Sequence, residues 1–467
     1  MKFRENPSQT ARFLILSVAL LVCGWLAEPA EAQVLYGSIV GAVEDQSGAL
    51  VPRASITLTS PGTGVKRETT TDEAGRYALL NVLPGSYELR ISASGFRPLV
   101  RENVEVTINT VTRVDLKLDV GAIAEQVTVA GAAALLQTDK SDVRADLPTV
   151  AMTNLPLSGY RNYQSLINLV PGTTPAVFQN TLDNTPARAF SFNINGTNRN
   201  NNNTRVDGAV NVFLWLPHHT LYVPPVETIE AVNISTASFD AEQGLAGGAA
   251  VTVATRSGTN QFHGVASWYH DNDHLRARNF FLRSPGKPRS ISNVATGTLG
   301  GPIKKDKLFF FGGFERNMWR RDASGNFAVP TADQRAGDFS AYPVTIYDPT
   351  SSTDPRTRQP FAGNRIPLAR QSSIIRKIQD SVPLPNLAGT LDNYAILGNN
   401  SFDRDNYDIK INWNPSPRHA MFGKYSQMNA FVGGTVALAD AGGPALGTKG
   451  NGPIGYTRVP IATVGHT

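Results

Sequence analysis

Cysteine is almost missing from this chain, with Cys23 the one cysteine among 467 residues. It lies inside an apolar run, 13–26, that follows Lys2, Arg4 and Arg12 and precedes Ala30-Glu31-Ala32. A basic start, a short apolar core and small residues before Gln33 have the form of a secretory signal peptide over 1–32. A spanning helix needs roughly 20 apolar residues and this run offers about 14, so an anchor is the poorer reading. Val22 before Cys23 also fits a bacterial lipidation site poorly. Removal after Ala32 leaves a chain without cysteine, which excludes disulfides, a cysteine nucleophile and thiolate metal sites.

No later apolar run is long enough for a membrane helix, so any membrane span has to be made of strands. No His-x-x-Glu pair occurs, and no Ser-His-Asp or paired-carboxylate arrangement stands out. No catalytic residue, metal site or cofactor is therefore expected. The 43 Lys and Arg exceed the 38 Asp and Glu, but they are spread along the chain. The one tight basic cluster, Lys304, Lys305 and Lys307, is interrupted by Asp306, and no nucleic-acid partner is expected.

What is present is strand patterning. Between 34 and about 118, Ile39 and Val43, Ile56 and Leu58, Tyr77 and Leu79, then Tyr87, Leu89 and Ile91 put apolar side chains on one face of successive short runs. Gly48, Pro52, Asp72 to Gly75 and Pro84-Gly85 supply turns between them. This pattern predicts a β-sandwich over 33–120. The strings Asp72-Glu73-Ala74-Gly75-Arg76-Tyr77 and Leu83-Pro84-Gly85-Ser86-Tyr87 resemble the carboxypeptidase-regulatory-like, transthyretin-like fold. That resemblance implies a scaffold without peptidase activity, since the segment has no histidine to hold zinc.

The most informative stretch is 244–264. A Gly/Ala-rich segment with Gly247 and Gly248 runs into a β-branched strand at Val251, Thr252 and Val253, then a polar turn, Ser257-Gly258-Thr259-Asn260, then Phe262 and Gly264. The paired glycines predict close backbone approach, and Gly258 and Asn260 offer positive φ. Upstream lie Leu155-Pro156-Leu157-Ser158-Gly159, a helix-like run through Tyr163 and Leu166 closed by Pro171-Gly172, Phe192-Asn193-Ile194-Asn195-Gly196, Arg205-Val206-Asp207-Gly208, Val226 to Glu230 and Phe239 to Gly244. Their order and spacing resemble the plug of TonB-dependent outer-membrane transporters of the Oar-like branch. The resemblance implies an α+β plug, with its linker, over 121–256.

Within that span, Glu125, Val127 and Val129 form a short alternating segment. The resemblance implies a contact there with the energising TonB protein by strand addition, while the plain alternative is the first plug strand. The asparagine run 200–203 reads as a polar loop. Phe213, Trp215, His218, His219 and Tyr222 are candidate ligand contacts on an apical loop, with packing against the barrel wall as the alternative. The two adjacent histidines point to opposite faces if the segment is a strand, which argues against chelation.

The strongest membrane strand is 405–414. Tyr407, Ile409, Ile411 and Trp413 share one face, and Asn406, Asp408, Lys410 and Asn412 the other. Tyr407 and Trp413 lie about 20 Å apart along a strand, near the height of a roughly 25 Å apolar band. Short turns at 302–307 and 415–419 and long loops near 271–291 and 317–404 predict strands alternating in direction over 257–467. His270-Asp271-Asn272-Asp273-His274 reads as a polar loop tip. A plugged barrel has 22 strands and this region holds five or six, so the chain is expected to be the N-terminal portion of a longer transporter or a truncated product.

The fold expected is thus mainly β: an N-terminal transthyretin-like β-sandwich, an α+β plug domain and the first strands of an incomplete antiparallel transmembrane β-barrel. The resemblance implies a TonB-dependent receptor in the outer membrane of a Gram-negative bacterium, its N-terminal domain in the periplasm. It implies TonB, outer-membrane lipid and an unidentified oligosaccharide, peptide or chelate as partners. The alternative is a surface adhesion or carbohydrate-binding protein built on the sandwich.

Overall fold

The computed structural model describes residues 36–121, 127–130, 139–155, 157, 161–177, 185–239, 241–278, 280, 287–417, 419–446 and 454–466. The expected signal peptide and Glu125 lie outside these residues. Among the described residues, no helix is long and apolar enough to cross a membrane.

The first unit is a two-sheet sandwich. One sheet joins β1 (Gly37–Asp45), β4 (Arg76–Val82), β7 (Val111–Arg113) and β8 (Leu116–Leu118); the other has the order β3 (Lys66–Thr70), β2 (Ser55–Thr59), β5 (Gly85–Ser92), β6 (Leu99–Val106), β9 (Val127–Ala130). Alternate side chains face inward because a strand turns successive residues to opposite faces. Ile39, Val43, Ile56, Leu58, Tyr77, Leu79, Leu89 and Ile91 all fall in this core, and Tyr87 packs partly buried against it. The tip of the β2–β3 hairpin reaches the segment that leads into the C-terminal sheet, where Gly62 O accepts from Asn260 N at 2.8 Å.

β9 corrects one expectation. The segment carrying Val127 and Val129 is not a strand of the following unit; it runs parallel to β6 as the last strand of the sandwich, Leu99 opposite Val127 and Arg101 opposite Val129.

The central unit is built on the sheet order β10 (Val143–Pro148), β17 (Ile229–Ala237), β18 (Ala250–Thr255), β13 (Asn203–Val206), β14 (Ala209–Val210). Two hairpins flank it, β11 (Thr173–Pro175) with β12 (Phe192–Ile194) and β15 (Val212–Phe213) with β16 (Leu216–Thr220). Helix α1 (Thr149–Asn154) and a 3-10 turn (Tyr163–Leu169) cover the sheet, so Met152, Tyr163, Leu166 and Ile167 close a core with Val226, Ile229, Val232, Ile234, Val251 and Val253. The run through Tyr163 and Leu166 is thus helical, but as 3-10. Asn162 caps its first turn by accepting from Gln164 N at 2.9 Å, and Val170 N closes its end on Ile167 O at 3.0 Å.

The third unit is an antiparallel sheet of consecutive strands, β19 (His263–Asn272), β20 (Ser290–Lys304), β21 (Leu308–Phe327), β22 (Tyr394–Ser416), β23 (His419–Gly434) and β24 (Ile454–His466). It is open among the described residues. The turn at 305–307 is short and Ser416 at the end of β22 pairs with His419 at the start of β23, whereas 328–393 forms a long folded excursion with α2 (Ala332–Arg335) and α3 (Ser373–Ser381). β22 alternates as the sequence predicts, with Asn406, Asp408, Lys410 and Asn412 buried and Tyr407, Ile409 and Trp413 exposed.

The join between the last two units departs from expectation in its mechanism. Neither Gly258 nor Asn260 adopts positive φ. A Cβ on Gly258 would instead strike the carbonyl oxygen of Phe310 and come within 2.7 Å of that of Gly301, so glycine is needed there for close passage over the sheet.

Candidate functional site

Two strands of the central unit end at one point. β13 and β18 are parallel, Val206 opposite Val253, and Asp207 follows directly after β13. Asp207 adopts φ 46°, a left-handed conformation that aspartate tolerates in turns. Its carboxylate accepts from Thr255 N at 3.0 Å and Thr255 Oγ1 at 2.5 Å, which fixes the ends of both strands.

The buried polar face of the third unit meets this carboxylate. Lys410 of β22 reaches Asp207 Oδ1 at 3.1 Å and donates to Thr255 O at 2.9 Å; Lys424 of β23 reaches Asp207 Oδ2 at 3.1 Å and Asp408 Oδ1 at 3.6 Å. Asp408 also accepts from Ser426 Oγ at 2.6 Å and from Tyr222 OH at 2.5 Å. Two carboxylates thus face two ammonium groups, an arrangement that offsets the cost of burying each charge. Burial works to raise the Asp207 pKa, but Lys410, Lys424 and the Thr255 donors outweigh it and hold the group ionised, well below the usual carboxylate range.

Further contacts follow the same interface. Arg404 pairs with Glu315 within the sheet at 3.1 Å while donating to Ala187 O at 2.9 Å, and Asn406 Nδ2 donates to Val223 O at 3.2 Å. Arg161 pairs with Glu227 at 3.1 Å and lies 3.6 Å over the Tyr269 ring of β19. The interface is largely polar, although Met428 of β23 joins the apolar core of the central unit and Val459 and Ile461 of β24 pack against it; Asn317, Asn406 and Asn412 leave buried side-chain atoms without a partner. Polar contacts of this kind hold a surface in register without the cohesion of an apolar core.

The chain direction of β18 sets the ends of the central unit. Thr255 lies five residues before Asn260, which exchanges hydrogen bonds with Asp306 in the short turn at 2.7 and 2.8 Å. The first residues of β18 and β13 therefore lie towards the opposite end, that of the six-residue β18 about 17 Å away along the strand. There Asn201 O accepts from Gly247 N and Gly248 N at 2.8 and 2.9 Å, the close approach predicted for these glycines.

The structure separates the five proposed ligand contacts. Tyr222 is 1% exposed and bound to Asp408, and burial followed by the Asp408 charge drives its hydroxyl pKa up. Phe213 and Trp215 sit at the tip of the β15–β16 hairpin, Trp215 87% exposed. His218 is 8% exposed, and its Nδ1 lies 2.5 Å from Asn200 Oδ1, at the end remote from the short turns. Burial, then Arg199 and His219, brings its pKa down to about 4, so it is neutral at pH 7. With Asn200 Oδ1 as acceptor, Nδ1 carries the hydrogen and leaves Nε2 as a buried acceptor without a partner.

The two histidines do not diverge as strand alternation predicts. Their burial differs, yet the rings meet edge-on at 4.3 Å in a hairpin whose register is irregular. Among the described residues, no group of three or more metal-ligating side chains forms. Nor is 200–203 a simple loop: Asn202 donates to Phe192 O at 2.7 Å and accepts from Ala249 N at 3.0 Å, and Asn203 lies in β13.

Comparison with known proteins agrees with this architecture. Residues 254–466 match the outer membrane beta barrel domain and residues 38–119 the carboxypeptidase regulatory-like domain. The chain thus joins a sandwich similar to the carboxypeptidase regulatory-like domain to strands similar to an outer membrane beta barrel domain. More particularly, it is a homologue of the TonB-dependent transporter Oar of Myxococcus xanthus, with 27% identity over 307 residues. The matched part is 62% of this chain, and the chain spans about a quarter, 27%, of that curated relative. That relative is a transporter rather than an enzyme. Among solved structures, the ferric enterobactin receptor of Pseudomonas aeruginosa is similar over 69% of this chain and 38% of its own, with 13% identity and a TM-score of 0.39. Catechol 1,2-dioxygenase of Acinetobacter sp. ADP1 is similar over 22% of this chain and 60% of its own, with 14% identity and a TM-score of 0.16.

Proposed function

We propose that this chain is the N-terminal portion of a TonB-dependent outer-membrane receptor that takes up a ligand by energised displacement of its plug. The observation that carries the reading is the ionic contact of Asp207 with Lys410 and Lys424, which joins a separately folded unit to the polar face of a membrane sheet. Beside a small apolar contact through Met428, Val459 and Ile461, the balanced ionic contacts hold the plug in register and let it be parted.

In this reading residues 1–32 are the signal peptide, 33–120 the sandwich, 121–256 the linker and plug, with 127–130 of the linker adding an edge strand to the sandwich, and 257–467 the start of the barrel. The sandwich lies in the periplasm. Supporting this, its Gly62 contacts the same end of the sheet as the short turn at Asp306, and short turns face the periplasm in such barrels. Phe213, Trp215, His218 and His219 then line the outer end of the plug as ligand contacts, with Tyr222 anchoring them to the wall. TonB grips the segment around Val127 and Val129. The ligand class extends over oligosaccharides, peptides and chelates.

The test uses cells carrying the full-length gene and separates binding from accumulation. Val127→Pro removes a backbone donor from the coupling segment and is expected to abolish accumulation while surface binding persists. Trp215→Ala is expected to weaken surface binding itself. Accumulation unchanged both by Val127→Pro and by Thr128→Pro, which removes the donor of the opposite edge, would overturn the assignment of the coupling segment.

A further inference from the structure

We propose that the sandwich presents 127–130 to TonB as a preformed edge strand, so that the partner's strand adds to the outer edge of β9 and extends this sheet. The proposal rests on the reading above that TonB grips this segment.

A lone extended peptide captured by strand addition loses backbone freedom at the moment of binding. Here that cost is already met. β9 is held parallel to β6 by pairing of Leu99 with Val127, Val100 with Thr128, Arg101 with Val129 and Glu102 with Ala130. Among the described residues β9 ends the sheet order β3, β2, β5, β6, β9, so its outer edge has no strand on it. An edge strand exposes a row of backbone donors and acceptors that templates another chain. Addition there breaks no existing bond, whereas capture of 127–130 as a free peptide would first strip it from β6.

The sandwich is also placed to bear a load. Arg113 pairs with Asp139 at 3.0 Å, while Lys140 Nζ and Arg144 Nη1 donate to Asn109 at 2.9 and 3.0 Å, so the chain leading into β10 and the start of β10 itself are tied back to the sandwich. With Gly62 on Asn260, the same domain touches the barrel's short-turn end. A pull on β9 is thus shared between sandwich and plug.

The experiment uses the full-length receptor with Cys23→Ser and the cysteine pair Glu102→Cys and Ala130→Cys. Glu102 is exposed and pairs with Ala130, so the bridge spares the sandwich core. The probe is the purified periplasmic domain of the organism's own TonB protein. The expected result is that the bridge forms on mild oxidation and that bridged and reduced receptor bind the probe within about twofold of each other. Val127→Pro and Thr128→Pro report on opposite edges, because successive N–H groups of a strand point opposite ways. One of them should cut probe binding by at least about tenfold while the bridge still forms.

A bridge that abolishes probe binding would overturn the proposal in favour of displacement from β6. Failure of the bridge to form would overturn it by removing β9 from the sandwich. Full probe binding in both proline variants would instead strike the coupling assignment itself, whether or not the bridge forms.

Discussion

Asp207 of the plug lies 3.1 Å from Lys410 of the sheet, although 203 residues separate them in the chain. The contact joins the end of β13 to the middle of β22, and Thr255, one residue before the segment leading into the barrel, binds both partners. Removal of this carboxylate is the sharpest test of how the plug is seated. Asp207→Asn leaves Lys410 buried without its carboxylate and Lys424 with Asp408 alone, and should destabilise the seating by about 3–5 kcal/mol. Hydrogen exchange at 203–206 and 250–255 in the purified receptor reports it as earlier exchange in the variant. Equal exchange would mean that the ionic contact is dispensable.

The two faces of β22 should respond differently to charge. Ile409→Lys puts an ammonium on the outward face, where it costs about 2–4 kcal/mol near the bilayer midplane, and is expected to impair assembly in the outer membrane. Lys410→Ile is expected to assemble, because position 410 faces the plug, but to loosen the plug by depriving Asp207 of a partner. Heat-modifiable mobility in membrane preparations measures assembly; equal effects would contradict the strand's orientation.

Gly258 offers a steric test. Gly258→Ala forces a methyl group against the carbonyls of Phe310 and Gly301 and should cost about 1–3 kcal/mol. Gly297→Ala is the control, since its added Cβ meets nothing within 4 Å. The melting temperature should fall for the first variant and hold for the second.

His218 should contribute a pH dependence of defined sign. Its folded pKa, about 4, lies below the ordinary histidine value of 6.5, so between these values the unfolded chain binds the proton more tightly. Stability is therefore full above about pH 6.5 and declines as pH falls towards 4. His218→Gln should lose less thermal stability than the parent on acidification across that window. An unchanged acid response would mean that His218 titrates normally.

The alternating faces of β22, the turn residues of the sandwich and the paired glycines before β18 were legible in the sequence, because each follows from local periodicity or backbone freedom. Asp207 was visible as part of a motif, and Lys410 as a residue of a polar face, but their meeting was not. It depends on which strand the plug packs against, a long-range choice with no local signature. The same holds for β9: an alternating segment reads as a strand, while its partner, β6, is fixed by the folded sandwich. Lys424 and Glu315 had no signal beyond charge inside an otherwise alternating strand, and that pattern is the one cue that marks a wall residue facing a charged plug.

The central claim is energised uptake, and it can be tested while the ligand is still unidentified. Untargeted mass spectrometry of spent medium compares wild-type cells with cells lacking the receptor gene and cells lacking TonB. The account predicts at least one compound that wild-type cells deplete and that both deletion strains leave in the medium. A compound spared when the receptor is absent but depleted normally without TonB would contradict it.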